Sequence, residues 1–141
     1  MTAAGDQAFA STAAGDLALC LSELGRFDEA AQYARIASDI ASSDDFVSQG
    51  MSRAAMGRVL ASRGEFEEGE AHAREGVRLV DASDYLTYRG EMQLELASIL
   101  DAAGRRDEAE AAVRQAIGYF ETKGATAWVV KARSWLPPAA D

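Results

Sequence analysis

Leu24-Gly25-Arg26-Phe27-Asp28-Glu29-Ala30 returns as Arg63-Gly64-Glu65-Phe66-Glu67-Glu68-Gly69, and again as Ala103-Gly104-Arg105-Arg106-Asp107-Glu108-Ala109. The three glycines stand 39 and 40 residues apart. A fixed period in this range marks a solenoid, in which each unit is one supersecondary element that buries its apolar face only by stacking on the next.

Columns fill in on both sides of the glycines. Upstream, Leu17, Met56 and Leu96 align, as do Ala18, Gly57 and Ala97, then Cys20, Val59 and Ile99, then Leu21, Leu60 and Leu100. These offsets put apolar residues on one face of a helix that ends at the glycine, and they place Cys20 in the core. Downstream, Ala30, Gly69 and Ala109 align, then Ala34, Ala73 and Val113, then Ala37, Gly76 and Ala116. This is a second helix whose contact face is built from small residues, which let two helix axes approach closely.

Each unit therefore reads as helix, glycine turn, helix. Gly25, Gly64 and Gly104 stand where a left-handed C-terminal cap is needed. Asp28/Glu29, Glu67/Glu68 and Asp107/Glu108 fall in the first turn of the second helix, where carboxylates complement the helix dipole. Asp44/Asp45 and Ser83/Asp84 mark the start of the next first-type helix. The pattern predicts helices at about 6–24, 27–43, 45–63, 66–82, 84–103, 106–122 and 125–136. No segment has strand periodicity. The expected architecture is all-α: a right-handed superhelical solenoid of three antiparallel helix pairs plus a C-terminal capping helix. Its repeats run over about 8–43, 45–82 and 84–122, the cap over 125–136, and the tail over 137–141.

Composition bounds the rest. Prolines occur only at Pro137 and Pro138, so nothing breaks a helix upstream. The formal net charge of -9 repels a phosphate backbone or an anionic leaflet, which argues against nucleic-acid and membrane partners. No apolar run approaches the roughly 18 residues of a membrane span. The first basic residue is Arg26, so the charged start of a signal peptide is lacking, and a lone Cys20 makes no internal disulfide. The expected location is cytoplasmic.

The columns resemble the tetratricopeptide repeat. Its pattern of Leu, small residue, Leu, Gly, aromatic and Ala is matched by Leu17, Ala18, Leu21, Gly25, Phe27 and Ala30. The second unit offers Met56, Gly57, Leu60, Gly64, Phe66 and Gly69; the third, Leu96, Ala97, Leu100, Gly104, Arg106 and Ala109. The aromatic that often opens the repeat is replaced by Ala14, Arg53 and Gln93, and the closing proline by Ser42, Asp81 and Glu121. The period exceeds the usual figure of about 34, so these helices are longer than standard. A narrower resemblance is to the C-terminal repeat segment of large bacterial signalling proteins that join a nucleotide-cyclase or DNA-binding domain to an ATPase module. It rests on the long Ala/Arg-rich repeats, on Asp44-Asp45, and on Lys123-Gly124 before a last short helix.

No catalytic constellation emerges. There is no Walker loop and no G-x-G-x-x-G. The single histidine, His72, and the single cysteine, Cys20, supply no metal cluster. Both read as structural, and no cofactor is called for. Glu65, Glu67, Glu68 and Glu70 lack the alternation of a calcium loop; Glu70–Arg74 and Glu110–Arg114 read as i,i+4 ion pairs.

The resemblance gives the first-type helices a concave groove. Leu19, Met51 and Leu94 fall off the core face and are the candidate apolar contacts there. Glu23, Arg58, Ser62, Glu91, Ser98, Asp101 and Lys131 are their expected neighbours, with Arg58 central. Only Lys123 and Lys131 are lysines and asparagine is absent, so the Lys/Asn clamp with which some members hold a carboxylate is not expected. Trp128, Val129, Ala132, Trp135 and Leu136 form a stripe suited to capping the last repeat. The chain thus reads as a non-catalytic protein–protein interaction module of signalling or regulation, binding a peptide or helix in its groove. The alternative is an assembly tail of a larger cyclase or transcriptional regulator, forming a homodimer through the terminal helices.

Overall fold

The computed structural model describes residues 3–138. The ends of the chain, including residues 139–141 of the expected tail, lie outside the described residues. Gly25, Gly64 and Gly104 have φ of 76°, 81° and 80°, as the cap requires. At each, the glycine N–H and the next N–H bond back into the helix: Gly25 to Ser22 O and Arg26 to Leu21 O, Gly64 to Ala61 O and Glu65 to Leu60 O, Gly104 to Asp101 O and Arg105 to Leu100 O. These are Schellman caps. Gly124, at φ 77°, repeats the motif before the last helix.

The described residues form seven helices: α1 (Ala3–Glu23), α2 (Phe27–Ile40), α3 (Phe46–Ser62), α4 (Phe66–Asp81), α5 (Leu86–Ala102), α6 (Arg106–Lys123) and α7 (Thr126–Arg133). No strand occurs among the described residues. Asp45 caps α3 by accepting the Ser48 N–H at 3.1 Å. Ser83 and Asp84 do not open α5, which starts after Tyr85. The Ser83 hydroxyl instead donates back to Val80 O, and Arg89 grips Ser83 O and Asp81 O, so these residues finish α4. α7 is shorter than expected: Trp135 and Leu136 form a turn after Arg133, because the residue before Pro137 is disfavoured in a helix.

The helices of a pair pack closely. A β-carbon added at Gly57 in α3 would lie 2.6 Å from Gly69 O in α4, and one added at Gly76 in α4 would lie 2.8 Å from Gly50 O in α3. Beyond consecutive helices, the extensive contacts are α1 with α3 and α3 with α5. The first-type helices therefore line the shorter, inner arc of a superhelical solenoid. The core runs on across repeats: Ala18, Met51, Val80 and Met92, from α1, α3, α4 and α5, are fully buried in one cluster. The last cluster ends on Phe120 and Ala132, with Trp128, Val129, Trp135 and Leu136 packed against it as the cap.

Added β-carbons at Gly64 meet nothing within 4 Å, so substitution there carries only the conformational cost. Gly64→Ala should destabilise by about 1 kcal/mol, and Gly57→Ala by more, through its clash with Gly69 O. Urea midpoints at unchanged m-value would check this; equal midpoints for wild type and Gly64→Ala would refute the capping account.

Candidate functional site

The inner arc holds a cavity of about 270 Å³. From α1, Asp16, Leu19, Cys20 and Glu23 reach it, at the i, i+3, i+4, i+7 spacing of one helix face. From α5 come Glu91, Leu94, Glu95 and Ser98 at the same spacing, and from α3 comes Arg58. Trp128 and Lys131 of α7, with Trp135 of the turn after it, close the remaining side.

The charges sort into pairs and a remainder. Arg58 Nη1 donates to Glu95 Oε2 at 2.7 Å, and both side chains are largely buried. Burial pushes the Glu95 carboxyl up from its ordinary range, and Arg58 opposes this. Lys131 Nζ lies 3.3 Å from Glu23 Oε1 and 4.9 Å above the Trp128 ring, linking the two ends of the solenoid. Trp128 in turn stacks on Phe120, with ring centroids 5.2 Å apart. Glu91 and Asp16 have no hydrogen-bonding or ion-pair partner among the described residues. Burial, and then the neighbouring Asp16 and Glu95 charges, raises the Glu91 carboxyl from 4.5 to about 7. Burial raises Asp16 as well.

Seven of the sequence-predicted residues line this cavity: Leu19, Glu23, Arg58, Glu91, Leu94, Ser98 and Lys131. Leu19 and Leu94 are mostly buried and double as core. Met51 does not reach the groove. It is fully buried, because Gly15 leaves room for its side chain between α1 and α3; a β-carbon at Gly15 would lie 2.9 Å from Met51 Cε. Ser62 lines a shallower adjoining groove with Phe27 and Ser98, and its hydroxyl donates to Val59 O. Asp101 accepts from Arg106 Nη1 at 3.0 Å, away from the cavity. Arg58 is engaged by Glu95 rather than free to orient a partner, and its removal would leave a buried carboxylate unpaired.

Asp16, Cys20, Glu95, Trp128 and Trp135 were missed. Asp16 and Cys20 were legible as face-mates of Leu19 and Glu23, and Glu95 as the i+4 neighbour of Glu91. Cys20 is exposed rather than core. Its column partners Val59 and Ile99 are buried against the preceding repeat, and α1 has no preceding repeat among the described residues. The Glu70–Arg74 and Glu110–Arg114 pairs form, at 2.8 and 3.6 Å. Among the described residues no cluster is arranged to hold a metal ion, and no helix is long and apolar enough to cross a membrane.

A stack of helical hairpins with a groove along its inner arc defines a helical-repeat scaffold. Residues 11–35 and 50–75 match one model of the tetratricopeptide repeat, and residues 90–122 match another. Together the matches take in more than half of the chain, which belongs to the tetratricopeptide repeat family. A TPR-like protein from Chlorobium tepidum TLS is similar in fold at 19% identity, over 94% of this chain and 95% of that one, with a TM-score of 0.63. No curated protein matches the chain. Repeats of this family generally mediate protein–protein interaction, and no enzymatic family is indicated.

Glu91 makes stability depend on pH. Its folded value of about 7 lies above the unfolded 4.5, so between these the native state binds more protons. The stability that this proton brings is complete below pH 4.5 and lost as pH rises through about 7. The displacement corresponds to about 3 kcal/mol against the ionised form. Glu91→Gln should melt close to wild type near pH 4.5 and at least about 4 °C higher at pH 8. Melting curves across this range would check it, and a difference that does not vary with pH would refute it.

Proposed function

We propose that this chain is a non-catalytic module of bacterial signalling or regulation that holds a peptide or helix of a partner protein along its inner groove. The observation that carries the reading is convergence: three first-type helices and α7 send side chains of mixed apolar and charged character to one cavity. A partner backbone laid along the arc would be anchored by a side chain inserted between Leu19, Leu94 and Trp128. The signalling part rests on the narrower resemblance of these long Ala/Arg-rich repeats.

Both tryptophans of the chain line this cavity, so their emission reports on it directly. Peptides selected from a random display library against the intact chain should shift that emission on binding. Ser98→Phe, which fills the cavity, should weaken them at least tenfold at nearly unchanged melting temperature. Undiminished binding to Ser98→Phe would move the partner to another surface.

A second reading, assembly through the terminal helices, is favoured by exposed apolar residues of α1 and of the turn after it. Phe9 and Leu24 are 72% and 70% exposed, and Leu17 is exposed beside them. The column partners of Leu17, Met56 and Leu96, are partly and fully buried. If α1 pairs with a second copy, light scattering should show a dimer that Leu17→Asp dissociates. A monomer at every concentration tested would end this reading.

A further inference from the structure

The cavity on the inner arc is more specific than a generic peptide groove. Its carboxylates outnumber its cations. Arg58 neutralises Glu95 at 2.7 Å, and Lys131 lies 3.3 Å from Glu23. Asp16 and Glu91 remain, both lining the cavity and neither ion-paired among the described residues. Beside them stand the rings of Trp128 and Trp135 and the side chains of Leu19 and Leu94. Unpaired carboxylates that share a cavity with aromatic and aliphatic side chains match a long apolar stem that ends in a positive charge.

We infer that the groove recognises its partner through one lysine or arginine side chain, the charge set between Asp16 and Glu91 and the methylenes along Trp128 and Leu94. This rests on the groove reading above and names the chemistry of the occupant. Size permits it: about 270 Å³ lies close to the lower end of the roughly 300–1,000 Å³ of ligand pockets and has room for one long side chain. The chain shows that such an environment accepts an ammonium, since Lys131 Nζ sits 4.9 Å above the Trp128 ring while paired with Glu23. Charge complementarity excludes the opposite occupant. A carboxylate or phosphate would meet two uncompensated acids, in a chain whose net charge of -9 steers anions away.

Protonation strengthens the test. An incoming cation favours the ionised form of Glu91, whose carboxyl is held near 7 in the free chain. Binding therefore takes up the cost of ionisation below that pH and improves above it. The groups that face Glu91 are Asp16, Cys20 and Glu23 from α1, Arg58 from α3, Tyr88 and Glu95 from α5, and Lys131 from α7.

Two probes test this on the intact chain. The first is n-butylguanidinium against its neutral counterpart 1-butanol, followed by the indole N–H signals of Trp128 and Trp135. Butylguanidinium should shift both signals saturably and butanol should not. Glu91→Gln should weaken the response several-fold at pH 8 and flatten its rise between pH 6 and 8. Equal shifts from butanol, or an unaltered response in Glu91→Gln, would overturn the inference. The second probe is the set of display-selected peptides. They should carry arginine or lysine, and replacing it by citrulline or norleucine should cost at least tenfold in affinity. Peptides that bind in the groove regardless of that replacement would leave the groove reading standing and overturn the cationic one. Butylguanidinium binding as tightly as the peptides would assign the pocket to a free small cation and overturn the partner side chain. A selection that yields no groove-binding peptide, while butylguanidinium still binds, would overturn the peptide reading instead.

Discussion

The close approach of helix backbones within each hairpin is the constraint from which the rest of this structure follows. In the middle repeat it is enforced at two levels, where Gly57 faces Gly69 and Gly50 faces Gly76 so tightly that a β-carbon would strike a carbonyl oxygen. In the outer repeats alanines hold the same columns: Ala18 with Ala30, and Ala97 with Ala109, all fully buried. Pairs drawn together in this way leave their bulky residues to the faces between repeats. Val59, Met92 and Ile99 are there, fully or almost fully buried, and they tie each hairpin to the one before it. Tight pairing within a hairpin and bulky packing between hairpins bend the stack toward the first-type helices. A groove on that side is the geometric result.

The repeat was legible because its signals are local. A left-handed glycine, two carboxylates in a first turn and a small-residue column each act within one hairpin, and each recurs at the same offset. What the period could not give was the neighbour. Met51 belongs to a helix face that looks like groove, yet Gly15 one repeat away opens a space that draws it into the core. Cys20 has a core column, but among the described residues no helix precedes the first hairpin to cover it. Arg58 looked free because its partner lies 37 residues on. Other cross-repeat polar contacts have similar spacings: Ser11–Asp45, Thr12–Ser48 and Arg105–Glu70 are separated by 34, 36 and 35 residues. A polar pair set a little less than one period apart is thus a bridge between first-type helices or between adjacent hairpins. That spacing, read as a rule, would have found the Arg58–Glu95 pair from sequence.

The tryptophans show the same limit from the other side. Their stripe marked a cap, and they do cap: Trp128 lies on Phe120 and Trp135 packs on the last cluster. Only the curvature of the stack brings them to the groove as well, opposite α1. An aromatic ring has two faces and a long edge, so one residue closes the core and walls the cavity at once. The ion pair between Lys131 and Glu23, 108 residues apart, records how far the arc closes. No local signal carries that distance. It emerges from a small rotation repeated through successive hairpins.

Stability alone does not explain the groove. An apolar residue at position 91 would avoid the desolvation of a half-buried carboxylate whose nearest charges are mostly of its own sign. The equivalent column positions in the first two repeats hold Thr12 and Met51, and the fold accepts both. The Arg58–Glu95 pair differs, because there a buried acid is matched within the chain and the pair joins two hairpins. Glu91 has no such partner among the described residues, and it shares its cavity with an indole that already holds one ammonium. A destabilising acid set in a concave, aromatic-walled site is the kind of local conflict that binding relieves. The same charge that weakens the free chain would then strengthen the complex.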